Sequence, residues 1–172
     1  RIVLREKQLL SDEYMHLALE CKKICEKYNV PFSLNSFYKI AEKIGVSDIN
    51  IPLSVLEETP SLVSEFKTVG VSVHSVVEAK KAEKLGASYV IFGHIFPTDC
   101  KKDLTPRGTN LLKEVVSSVD IPVLAIGGIT KERIPDVMNT GAKGICVMSH
   151  FMKCENPYKE ISDFKSIIEK VQ

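Results

Sequence analysis

The stretch YVIFGHIFPTDCKKDLTPRGTNLLKEVVSSVDIPVLAIGGI, residues 89–129, decides the fold. Tyr89-Val90-Ile91-Phe92 is a continuous apolar run, the kind of strand that is covered on both faces. A loop from Gly93 to Gly108 follows. It exceeds the usual connection length, which marks it as functional. Leu111, Leu112, Val115 and Val119 then recur at helical spacing. Ile121 to Ile126 is a second apolar strand, and it stops at Gly127-Gly128. Strand, crossover helix and strand in this order require a parallel sheet with helices packed on it.

The same rhythm extends in both directions. Upstream, Ile2-Val3-Leu4 precedes a helix through Leu10, Tyr14, Leu17, Cys21, Ile24 and Tyr28, with Ser11 as its expected N-cap. Pro31 to Leu34 is a strand, and a helix from Phe37 to Ile44 is stopped by Gly45. Asp48 to Ile51 is a strand before a weaker helical region between Ser54 and Phe66. Gly70 to Val73 is a strand; Ser75 and Glu78 form a capping box for the helix through Val76, Ala79, Ala82 and Leu85, which Gly86 closes. Downstream, Thr130 caps a helix carrying Ile134, Val137 and Met138. Gly144 to Met148 is the last strand, and Asn156-Pro157 opens a helix through Ile161, Phe164, Ile167, Ile168 and Val171. Seven strands each lead into a helix. An open doubly wound sheet and a TIM (β/α)8 barrel both fit, and the barrel needs one unit more.

Composition narrows the function. The chain has 172 residues, with 23 Lys+Arg against 22 Asp+Glu and a formal net charge of +1. That balance argues against a partner recognised by neutralising many phosphates, so no nucleic acid is expected. Apolar residues make up 44% and charged residues 26%, which is ordinary globular composition and excludes disorder. No apolar run approaches the ~20 residues of a membrane helix, so no membrane association is expected. The five cysteines, Cys21, Cys25, Cys100, Cys146 and Cys154, have no disulfide or metal-ligand spacing. A single domain over residues 1–172 in a reducing cytoplasm follows.

In parallel α/β folds, function collects at the carboxyl ends of the strands. Those positions carry Arg5-Glu6-Lys7, Asn35-Ser36, Ser54, Ser72 with His74, Gly93-His94 with Thr98, Asp99, Lys101, Lys102 and Arg107, Gly127-Gly128, and Ser149-His150. Gly127-Gly128 exposes backbone amides ahead of a helix and Ser149 adds a hydroxyl; together they read as a phosphate site, or the glycines as a tight turn alone. On barrels such a site follows strands seven and eight. That places the missing unit at the N-terminus, in agreement with the absence of an initial Met. His94 opens the longest loop. It reads as a proton-transfer group or as a hydrogen-bonded structural histidine.

The motifs Gly70-Val71-Ser72-Val73-His74, Gly93-His94-Ile95-Phe96-Pro97-Thr98, Lys101-Lys102-Asp103, Ala125-Ile126-Gly127-Gly128-Ile129 and Val147-Met148-Ser149, with Leu4-Arg5-Glu6-Lys7, resemble the thiamine phosphate synthase/TenI superfamily of phosphate-binding TIM barrels. The resemblance implies a barrel whose first β/α unit lies outside this chain. Two activities occur in the superfamily. Synthases join a pyrimidine diphosphate to a thiazole phosphate, using an Asn-Asp pair and a further Asp to hold Mg²⁺. Here those positions read Asn35-Ser36 and Pro52-Leu53-Ser54. The loop with His94 is similar to the thiazole tautomerase branch, which moves a proton without metal.

From this the expected function is thiazole tautomerisation, an isomerase reaction on a small thiazole phosphate, with His94 catalytic and no metal or cofactor. Thr98, Gly127, Gly128 and Ser149 would hold the phosphate. Arg5, Lys7 and Lys101 would face carboxylate or phosphate, and Asn35 and Ser72 would line the pocket. The alternatives are a thiamine phosphate synthase, with Mg²⁺, and a non-catalytic protein that binds the phosphate ligand. Homo-oligomerisation stays open.

Overall fold

A computed structural model describes residues 1–171, which form two compact units. The first comprises residues 1–72 and 85–88; the second comprises residues 73–84 and the chain from Tyr89 onward.

In the first unit the strands are β1 (Ile2–Leu4), β2 (Phe32–Asn35), β3 (Asp48–Pro52) and β4 (Thr68–Val73). β1 pairs with β2, β2 with β3 and β3 with β4, every pair parallel. A doubly wound sheet starts in its middle and reverses direction at a switch point. Four strands laid down in chain order have no such reversal, and this decides between the two architectures. The helices are α1 (Ser11–Lys27), α2 (Tyr38–Lys43), α3 (Leu53–Glu58) and α4 (Leu62–Glu65). The weak helical region after β3 is thus two short helices. They break at Thr59-Pro60, because proline has no N–H and disfavours helical backbone in the residue before it.

Ser11 lies inside α1 rather than capping it; the cap is Leu10, whose N–H is met by the Glu13 carboxylate at 2.9 Å. Tyr14 is fully buried, stacks on Phe37 at 3.9 Å between ring centroids, and donates its hydroxyl to the Leu4 carbonyl at 2.9 Å. Burial pushes its phenol up to about 12. The hydrogen bond crosses from α1 to the end of β1 and fixes the chain that leads into Arg5. Leu34, Ile49, Ile51, Leu56, Leu62 and Val71 complete the core of this unit.

In the second unit β5 (Tyr89–Gly93), β6 (Val123–Ile126) and β7 (Gly144–Cys146) are parallel and again in chain order. They are served by α5 (Val76–Lys84), α6 (Gly108–Val116), α7 (Ile134–Met138), α8 (Ser149–Lys153) and α9 (Pro157–Val171). Ser75 accepts from Glu78 N–H at 3.1 Å, as a capping residue should, but the Glu78 carboxylate reaches back one residue further, to the N–H of His74 at 2.6 Å. Asn156 caps α9 through Lys159 N–H at 3.0 Å, with Pro157 in the first turn. α8 is a short helix where strand was expected to lead straight to the last helix. Phe92, Leu112, Val115, Ala125, Ile134 and Val137 are buried in this unit, and Phe164 seats α9. No helix among the described residues is long and apolar enough to cross a membrane.

Candidate functional site

The second unit gathers His94, Thr98, Lys101, Gly127, Gly128 and Ser149 on the segments that follow β5, β6 and β7. The long loop after β5 is tied at its base. Arg107 N–H donates to the His94 carbonyl and Gly108 N–H to the Ile95 carbonyl, both at 3.0 Å. Arg107 Nε and His74 Nδ1 each donate to the Gly93 carbonyl at 2.9 Å. The loop is therefore a closed, self-packed excursion rather than a loose tether.

His94 is 3% exposed. Its Nε2 donates to the Leu104 carbonyl at 3.1 Å, while Nδ1 is buried without a partner. The ring thus spans its own loop and is almost wholly buried. Thr98 caps a 3-10 turn (Asp99–Lys101) and receives Cys100 N–H at 3.5 Å. Lys101 is half-buried in that turn, while Lys102 pairs with Asp99 at 3.6 Å in the open, an arrangement of little energetic weight.

The glycine pair has a steric reason beyond any ligand. Ile95 N–H and Phe96 N–H donate to the carbonyls of Ile126 and Gly127 at 2.9 and 3.0 Å, so the two loops run backbone against backbone. A Cβ on Gly127 would lie 2.4 Å from His94 Cβ, and one on Gly128 would lie 2.4 Å from the Pro97 carbonyl oxygen. Both glycines also have positive φ, +104° and +65°. Arg133, which sequence reasoning missed, joins the same two loops. It donates from NH1 to the Gly128 carbonyl at 2.7 Å and lies 4.7 Å over the Phe96 ring. A cation five residues past a glycine pair is too common a pattern to have announced this.

Ser149, half-buried, is the first residue of α8. Its neighbour His150 donates from Nε2 to Glu160 Oε2 at 2.6 Å; Lys131, on the β6 side, donates to Glu160 Oε1 at 2.9 Å and to Asp163 at 2.7 Å. The hydrogen bond from His150, then the one from Lys131, hold the Glu160 carboxyl below the usual carboxylate range. A depressed carboxyl adds stability above its unfolded value, about 4.3 for glutamate. That contribution is lost as pH falls through the lower folded value. Glu160→Gln is expected to unfold at lower temperature than the parent at neutral pH and to converge with it in strong acid. Equal melting temperatures at pH 7 would refute the coupling.

The first unit carries Arg5, Lys7, Asn35 and Ser72. Arg5 and Lys7 are exposed beyond β1. Asn35 sits at the end of β2 opposite Asn50 in the strand register. Its Nδ2 donates to the Asn50 carbonyl at 3.1 Å and its Oδ1 accepts from Ser36 Oγ at 3.3 Å. Asn50 continues the chain, donating from Nδ2 to Ser72 Oγ at 3.1 Å, and its Oδ1 is buried without a partner. Asn50 is a further pocket candidate; an asparagine between Ile49 and Ile51 in an apolar strand was the available signal.

Mg²⁺, which the resemblance to synthases implies, wants carboxylate oxygens. The ends of β2 and β3 offer the amide of Asn35, engaged at both ends, and the hydroxyls of Ser36 and Ser54. The carboxylate of Asp48 is at the opposite end of β3, 3.5 Å from Arg1. Among the described residues no three His, Cys, Asp or Glu side chains are grouped to hold a metal ion. The donor set does not fit the ion.

The family model described as thiamine monophosphate synthase matches residues 1–151. The chain belongs to that family. A thiamine-phosphate synthase of Methanobrevibacter smithii is 39% identical over 158 residues, covering 91% of this chain and 76% of the relative. One of Clostridium botulinum is 37% identical over 172 residues, covering 99% and 81%. The solved thiamine phosphate pyrophosphorylase of Pyrococcus furiosus superposes with a TM-score of 0.84 at 31% identity, over 99% of this chain and 83% of that one. The fold class is therefore α/β of the TIM-barrel type.

These relatives overturn the expected thiazole tautomerase and its isomerase chemistry: they are named for the synthase, a transferase. That expectation stood on the histidine of the long loop together with Ser36 and Ser54 at the synthases' carboxylate positions. In the structure Nε2 of that histidine is engaged by the Leu104 carbonyl.

Proposed function

We propose that this chain acts as a thiamine-phosphate synthase, joining a pyrimidine diphosphate to a thiazole phosphate with release of diphosphate. The observation that carries the reading is 37–39% identity to named synthases across 91–99% of the chain. In it Gly127 and Gly128 offer amides, and Thr98 and Ser149 hydroxyls, to a phosphate. Lys101 supplies positive charge beside them; in the first unit Arg5 and Lys7 supply positive charge, and Asn35 and Ser72 stand at its strand ends. The substrates are small phosphorylated molecules, and the enzyme works in the cytoplasm.

The test is incubation of the chain with both substrates and Mg²⁺, reading joined product and released diphosphate together. Equimolar appearance of the two supports the synthase. A second reading, a protein that binds the phosphate ligand without turnover, is favoured by the neutral donor set at the ends of β2 and β3. Saturable binding of thiazole phosphate with no product would select it.

A further inference from the structure

We propose that Glu160 is a positioning residue for the phosphate grip, acting through Lys131 and His150 on the two segments that carry Gly127-Gly128 and Ser149. The inference rests on the reading of those segments as the phosphate site. Lys131 lies three residues past Gly128, and His150 adjoins Ser149. One carboxylate takes both: Oε1 accepts from Lys131 at 2.9 Å and Oε2 from His150 at 2.6 Å. The partners are 29 and 10 residues away in sequence, so Glu160 ties, beyond the end of the β6–β7 ladder, the two segments that leave it.

The carboxylate is mounted rigidly. α9 is a 15-residue helix seated by Phe164, whose ring centroid is 5.2 Å from that of His150 and 5.0 Å from that of Phe151. On the far side, the bond from Arg133 to the Gly128 carbonyl fixes the same glycine loop. Lys131 and Glu160 are 28% and 21% exposed, so solvent screens the pair only in part. What a carboxylate bridging two loops controls is the spacing between their donors, and small misplacements of binding groups cost affinity steeply.

The test uses inorganic phosphate as the probe, followed on the backbone amide resonances of Gly127, Gly128 and Ser149, beside steady-state kinetics of the coupling reaction. Glu160→Ala is expected to weaken phosphate binding about tenfold and to raise KM for the thiazole phosphate by the same factor, with kcat little changed. Glu160→Gln, which keeps the shape and one acceptor oxygen, should fall between. Asp163→Asn leaves both Glu160 bonds in place and should bind phosphate as the parent does. Should Glu160→Ala not fold, Glu160→Gln and Lys131→Met decide, and parental phosphate affinity in both refutes the proposal. Unchanged KM and affinity in a folded Glu160→Ala, even with a lowered melting temperature, leave only a structural role and also refute it. Phosphate that leaves the three amides unmoved does the same. Phosphate binding at those amides without coupling refutes the synthase reading alone.

Discussion

Gly128→Ala is expected to destabilise the protein by about 2–4 kcal/mol, from αL backbone strain together with overpacking. In a chain of this size that corresponds to a fall in melting temperature of roughly 5–15 °C. Gly128 has a φ of +65°, which an L side chain adopts at a cost. Its Cβ would meet the Pro97 carbonyl oxygen at 2.4 Å and Phe96 Cβ at 2.9 Å. Neither neighbour is the far end of a flexible side chain, so the backbone of the long loop must move. The Phe96 N–H bond to the Gly127 carbonyl would then lengthen, and Arg133 would lose its seat between Phe96 and the Gly128 carbonyl. Coupling activity should fall with the loop. Calorimetry and the two-substrate assay read the two effects; a melting temperature within 2 °C of the parent would show that the loops do not touch as described.

His94→Ala is the second large effect. It removes a side chain that is 3% exposed, and cavity formation at such a site costs about 2–4 kcal/mol. It also frees the Leu104 carbonyl from Nε2. His94→Leu separates the two contributions. It refills the volume and abolishes the buried, unpartnered Nδ1, so its stability should lie close to that of the parent. It cannot tether Leu104, so cleavage between residues 98 and 106 under limited proteolysis should accelerate in both variants. Full parental stability in His94→Ala would contradict the burial. Parental resistance to proteolysis in His94→Leu would contradict the tether.

The strands were legible because each is an apolar run interrupted by glycine or polar residues at its end. Tyr89 to Phe92 starts where the observed strand starts, and Ile121 to Ile126 starts two residues before the observed Val123. The helix of Asn156-Pro157 was legible for a different reason: capping is local, and the Asx side chain needs only the N–H three residues on. Ser11 failed by the same locality. Leu10 offers no side-chain acceptor, yet the Glu13 carboxylate reaches its N–H, so a competing local bond moved the cap by one residue. The tautomerase expectation failed at another level. It rested on the chemistry open to a histidine and on two missing carboxylates, and neither single position outweighs a likeness to synthases that runs along nearly the whole chain.

Periodicity and glycine placement, which are properties of neighbours in the chain, were sufficient for the α/β class, the parallel sheet and the strand ends where polar residues collect. The choice between barrel-type order and a doubly wound sheet needed the pairing of β1 through β4, because both architectures use the same local units. The reason for Gly127 and Gly128, the occupation of His94 and the convergence of Lys131 and His150 on Glu160 also waited on tertiary structure. Each depends on close contacts between residues ten or more positions apart, and no local pattern encodes which backbone a missing Cβ makes room for.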